Sequence, residues 1–199
     1  RSPRMKDQGF IALVLHSHLP FVRHPEHEEF LEEQWFFEAL TETYLPLVER
    51  YQRLANDQVP LRITMSFTPT LLAMLSDPLL QTRYVRHLEK LIELSEKEIW
   101  RTRWEPPFHR LALLYHHRFT TARRLFVDSY RRNLITPLRE LADKGILEPI
   151  ASCATHGFLP LMDYQPAAVR AQLHVGAQAF EQAFGRKAIG MWLPECGYH

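Results

Sequence analysis

FIALVLHSH, residues 10–18, decides the fold. Phe10 to Leu15 is an unbroken apolar run of strand length, and a run without alternation suits a parallel strand buried on both faces. It ends in His16-Ser17-His18, so polar side chains arrive where the apolar stretch stops. Further on, Trp35, Phe37, Leu40, Tyr44, Leu47, Val48, Tyr51 and Leu54 recur at helical spacing, which predicts one long amphipathic helix over residues 34–56 with a kink at Pro46. Residues 61–67 (LRITMSF) alternate and read as a second strand. Asp77-Pro78 has the chemistry of an N-cap followed by a first-turn proline and opens a helix to about Trp100. Glu105-Pro106-Pro107 breaks it, and a further helix extends to Leu141 before Asp143-Lys144-Gly145. Residues 146–153 form a third strand. Gln165-Pro166 starts a helix with Val169, Leu173, Ala177 and Phe180 on one stripe, ended by Gly185, and residues 188–192 form a fourth strand. The alternation β, α, β, α, β, α, β specifies an α/β fold with parallel strands and right-handed crossovers, either a doubly wound sheet or part of a (β/α) barrel.

Composition narrows the function. The 199 residues are 46% hydrophobic and 24% charged, enough apolar material for a real core. Twenty-four Lys and Arg against twenty-three Asp and Glu leave a net charge of +1, which removes the usual electrostatic reason to expect nucleic acid or an acidic membrane surface as partner. Two cysteines, Cys153 and Cys196, exclude a disulfide-stapled secreted scaffold, leave one bridge open, and point to a reducing cytoplasm. No apolar run approaches the length of a membrane span. The Arg1 start and the His199 stop read as the ends of a fragment, with residues 1–8 an irregular or disordered tail.

In such folds the chemistry gathers at the carboxyl ends of the strands. Strand one delivers His16, His18 and Pro20, strand three Thr155, His156, Gly157 and Pro160, strand four Trp192, Pro194, Glu195 and Tyr198; strand two gives Thr68-Pro69-Thr70 and is less informative. His16 and His18 are two apart, which on a strand sends both imidazoles to one face. They could bind a metal, contact a polar substrate, or form a hydrogen-bonded structural pair; no nearby Asp pair, H-E-x-x-H or cysteine cluster completes a metal site. Glu195 ends a strand expected to be buried, where a lone carboxylate is costly unless it is paired or catalytic; the alternative is a glutamate offsetting a helix dipole. Trp192, Phe158 and Tyr198 offer flat faces for stacking on sugar rings, or simply core. Cys196 as a thiol nucleophile, with His156 or His199 as base, lacks an orienting third group. The arginines of residues 118–132 read as a solvated helix face, and neither a Gly-rich phosphate loop nor a G-x-S-x-G elbow is present.

Three of these strand ends fall in longer motifs. HSHLPFVRHPE at residues 16–26, ATHGFLPLM at 154–162 and MWLPECGY at 191–198 resemble, in order and spacing, three motifs of glycoside hydrolase family 57, most closely its α-1,4-glucan branching enzymes. LEEQWFFEALTETYLPL and TMSFTPTLLAML between them are similar to branching-enzyme sequence, so the resemblance covers the chain from Gly9 onward. It implies that residues 9–199 are the N-terminal part of an incomplete (β/α)7 barrel of the glycoside hydrolase/deacetylase type, acting on an α-1,4-glucan by retaining double displacement. It further implies Glu195 as nucleophile, His16, His18 and His156 around the donor sugar, Trp192 as an aromatic wall nearby, and no metal or other cofactor. The family's general acid/base is an aspartate in a fourth motif, beyond residue 199. A 4-α-glucanotransferase or α-amylase-type hydrolase of the same family shares the nucleophile. A metal-dependent hydrolase or deacetylase with His16 and His18 as ligands, and an inert glucan-binding fragment, stand as rivals. The sequence leaves oligomeric state open.

Overall fold

The computed structural model describes residues 9–198; the tail expected over residues 1–8, and His199, lie outside the described residues. Four strands among these residues, β1 (Val14–Ser17), β2 (Ile63–Phe67), β3 (Leu147–Ser152) and β4 (Met191–Trp192), pair in parallel in the order β1-β2-β3-β4. Among the described residues, seven α-helices supply the crossovers: α1 (Glu33–Ala39), α2 (Leu45–Asn56), α3 (Pro69–Ser76), α4 (Pro78–Arg101), α5 (Pro106–Arg123), α6 (Ile135–Asp143) and α7 (Pro166–Phe184). The sheet is curled. His16 on β1 and Trp192 on β4 stack with ring centroids 4.8 Å apart, whereas three strand spacings of a flat sheet would part their backbones by about 14 Å. The strands thus form an incomplete (β/α)7 barrel, as expected.

Several boundaries differ from the sequence-based expectation. β1 begins at Val14 rather than Phe10, and Phe10 and Ile11 are 94% and 91% exposed instead of buried. β1 pairs only with β2 among the described residues, through Val14↔Thr64 to Ser17↔Phe67, so β2 sets where it begins and only one edge is covered. β4 is two residues long, and Ile189 before it is exposed. Pro149 sits inside β3 without penalty because it shares parity with Ala151, whose N–H goes to Gly190 on the β4 side; there β4 has not yet begun, and no ladder bond is lost.

The long first helix runs as expected but carries a π-helical turn over Leu40–Tyr44. Pro46 has no N–H for the Glu42 carbonyl and its ring crowds that turn. Thr41, inside it, donates to the Phe37 carbonyl and so accepts from buried Tyr84, pinning the bulge to α4. Asp77 caps α4 as expected, its Oδ1 accepting from Leu80 N–H at 3.0 Å. Helix α3, before it, was not expected: Thr68 caps it and Pro69 starts it. The helix expected through Leu141 divides instead, with π geometry over Arg124–Ser129 and a break at Arg131 and Arg132, both at positive φ, before α6. Gly185, at φ 68°, ends α7. The α7 stripe holds Phe180, Ala183 and Phe184 rather than exposed Ala177. Gly176 lets α7 touch β3, since a Cβ there would lie 2.1 Å from the Ser152 carbonyl oxygen. Of the helix-face arginines, Arg118 and Arg123 pair with Glu42 and Glu89 at the surface. No helix among the described residues is long and apolar enough to cross a membrane.

Candidate active site

The carboxyl ends of all four strands converge. His16 is the third residue of β1 and His18 lies just past its end, so pleat parity puts both imidazoles on one face with centroids 6.1 Å apart. His156, in the loop after β3, stacks on both, at 4.8 Å from His16 and 3.9 Å from His18. Trp192 on β4 closes the stack against His16. Glu195 follows in a three-residue turn (Pro194–Cys196), its Oε1 3.5 Å from His156 Nε2.

Two expectations about Glu195 need correction. Its side chain is 75% exposed, not buried, because β4 stops at Trp192 and the turn lifts the carboxylate into the opening. Nor does it offset a helix dipole: its backbone is left-handed (φ 53°, ψ 25°) in a turn too short to carry one. His156 and Cys196 share this conformation, with φ 56° and 55°. Three non-glycine residues in a sparsely populated region at one site indicate strain held in place by surrounding structure.

Hydroxyls behind the rings hold them. His16 Nδ1 is 2.6 Å from Ser66 Oγ, and His18 Nδ1 is 3.2 Å from Thr68 Oγ1. Ser66 and Thr68 are fully buried. Ser152 donates to the Trp192 carbonyl at 3.1 Å, fastening β4 to β3. Sequence reasoning does not single out Ser66 or Ser152, and it reads Thr68 only as part of the less informative end of strand two. The available signal was parity: Ser66 and Thr68 repeat the two-residue spacing of His16 and His18, and β1 and β2 run in register with His16 opposite Ser66.

Burial, chiefly, depresses the basicity of all three imidazoles. His16 and His156 fall below the ordinary value, and His18 falls to about 4, where His156 and His16 add repulsion and Glu195 opposes the shift. All three are therefore uncharged at neutral pH. Glu195 is the only carboxylate among the described residues that bears on their titration. His156 Nδ1 and Trp192 Nε1 are buried and find no hydrogen-bond partner among the described residues.

The remaining expected residues lie at the periphery. Phe158 packs against Gly197, where a Cβ would come within 2.4 Å of its ring, so the loops after β3 and β4 touch here. Tyr198 is 87% exposed and takes no part in the ring stack. Both cysteines are free: burial raises the Cys153 thiol, and Cys196 is exposed. The histidine rings meet face to face, and among the described residues no group of three or more His, Cys, Asp and Glu side chains is arranged to hold a metal ion.

Fold and site together define a (β/α)-barrel protein whose polar chemistry sits at the carboxyl ends of its parallel strands. Residues 12–199 match the model of glycosyl hydrolase family 57, and the chain belongs to that family. It is 35% identical over 191 residues to a 1,4-alpha-glucan branching enzyme of Thermococcus kodakarensis, covering 96% of this chain and 27% of that protein. Among solved structures, the alpha-amylase AmyC of Thermotoga maritima superposes with a TM-score of 0.88 at 44% identity, over 94% of this chain and 36% of that one. A branching enzyme of Pyrococcus horikoshii superposes with a TM-score of 0.88 at 34% identity, over 96% and 35%. The chain thus spans about a quarter to a third of the length of these relatives.

Proposed function

We propose that the protein is a 1,4-alpha-glucan branching enzyme in which Glu195 is the nucleophile. The carrying observation is a solvent-facing carboxylate 3.5 Å from a buried imidazole, at the mouth of a stack of aromatic rings. In the proposed reaction, Glu195 attacks the anomeric carbon of an α-1,4-glucan, the glycosidic bond breaks, and the leaving oxygen takes a proton from a second carboxyl group. The glycosyl-enzyme ester is then displaced by a glucan 6-hydroxyl, whose proton returns to that second group. A retaining pair needs its carboxyls about 5 to 5.5 Å apart. We assign the second carboxyl to sequence beyond residue 199, a reading supported by the greater length of the relatives.

The neutral imidazoles suit this chemistry. Positive charge develops on the sugar ring in the transition state, and uncharged His16, His18 and His156 bind hydroxyls there without opposing it. Trp192 supplies a face against the ring stack, with Phe158 and Tyr198 further along the glucan path. The polymer is the sole partner proposed, without cofactor, nucleic acid or membrane, and the two free cysteines suit the cytoplasm.

The 44% identity to the Thermotoga alpha-amylase favours a second reading, hydrolysis through the same nucleophile. Proton NMR of amylose incubated with the full-length protein separates them. New α-1,6 linkages exceeding new reducing ends are expected; reducing ends without branches would replace the branching reading by the hydrolytic one. Glu195→Gln in that protein is expected to lower turnover by about a thousandfold or more while glucan binding survives.

A further inference from the structure

Four polar groups behind the ring stack form a chain whose directions are fixed. Thr70 Oγ1 donates its one proton to the Leu19 carbonyl at 2.8 Å. In the 3.1 Å contact between Thr68 and Thr70, the Thr68 hydroxyl must then be the donor. Thr68 has spent its proton, and its two lone pairs face the Leu71 N–H at 3.4 Å and His18 Nδ1 at 3.2 Å. A lone pair requires a proton opposite it, so Nδ1 carries one. Burial and the neighbouring His16 and His156 keep His18 singly protonated at neutral pH despite the opposing Glu195, which leaves Nε2 bare.

We propose that Thr68 and Thr70 are positioning residues that hold His18 as its Nδ1–H tautomer, so that Nε2 meets the substrate only as a hydrogen-bond acceptor. The substrate group it selects is a donor: a sugar hydroxyl, as opposed to an ether or ring oxygen. Ring oxygens and glycosidic oxygens accept only, so the tautomer sets which edge of a glucosyl unit faces His18. Thr70 touches no ring; it acts through Thr68, and the Leu19 carbonyl, one residue past His18, closes the circuit. The substrate half of the proposal depends on the α-glucan reading above, whereas the tautomer does not.

Neutron diffraction from a crystal of the full-length protein reads the tautomer directly, with deuterium expected on His18 Nδ1 and none on Nε2. Deuterium on Nε2 alone overturns the proposal. Thr70→Val frees the Thr68 proton for Nδ1 and is expected to move deuterium onto Nε2 and lower kcat/KM for amylose about tenfold. Thr70→Ser, which restores the hydroxyl, is expected to restore both. Loss of activity that Thr70→Ser does not rescue, or unchanged kinetics once the tautomer has moved, overturns the acceptor role even where the Nδ1–H form is seen. An absence of glucan turnover in the parent protein tells against the α-glucan reading and leaves the diffraction result to stand alone.

Discussion

His156, Glu195 and Cys196 hold left-handed backbone at an energetic cost of about 1 to 3 kcal/mol each, and His156 Nδ1 and Trp192 Nε1 are buried without partners among the described residues. Backbone held in this region destabilises the site relative to the scaffold beneath it. The histidines add a pH-dependent part. His18 titrates near 4 when folded and near 6.5 when unfolded, so between those values the unfolded chain binds a proton that the folded chain refuses. Its contribution is complete above about pH 6.5 and is lost as pH falls toward 4; His16 and His156 act in the same direction. Urea midpoints taken between about pH 7 and pH 4.5 are expected to fall less steeply in His18→Gln than in the parent. Parallel profiles would show that His18 titrates normally.

The elements place these residues through a few tight contacts. Gly176 lets α7 lie on the end of β3, and Ser152 at that point also holds β4. Gly176→Ala drives a methyl into backbone, and is expected to cost about 1 to 3 kcal/mol and raise KM for amylose, read from thermal midpoints and initial rates. Arg83 does similar work for the loop after β1: it pairs with buried Glu33 at 2.5 Å and donates to the carbonyls of His24 and His27, while Arg23 binds Asp77 at 2.6 Å. Local capping chemistry made some of this legible in the sequence, as at Asp77-Pro78 and Gly185. Helix α3 escaped because Leu71, Leu72, Met74 and Leu75 are all buried, leaving no polar face to give a helical stripe. The break at Arg131 and Arg132 had no glycine to announce it. His16 and His18 were readable from two-residue spacing alone, whereas Ser66 and Thr68 acquire meaning only once β1 and β2 are in register. Apolarity could not separate exposed Phe10 and Ile11 from the strand, because pairing with β2 decides where β1 starts.

At the scale of the molecule, the curled sheet has β1 and β4 as its edges among the described residues, and apolar side chains at Phe10, Ile11 and Ile189 stand exposed beside them. Unpaired edges with apolar flanks associate. The 199-residue chain alone is therefore expected to self-associate in light scattering and to form neither branches nor reducing ends from amylose; activity from it would mean that a described acid serves as the second carboxyl. The same scale frames the central claim, that a carboxylate on a tensed turn at the barrel mouth carries the sugar. A 5-fluoroglucosyl fluoride that reacts but turns over slowly tests it in the full-length protein. Peptide mass spectrometry is expected to find the fluoroglucosyl ester on Glu195, with the label absent from Glu195→Gln. An ester on a different carboxylate, at full occupancy, would contradict the account.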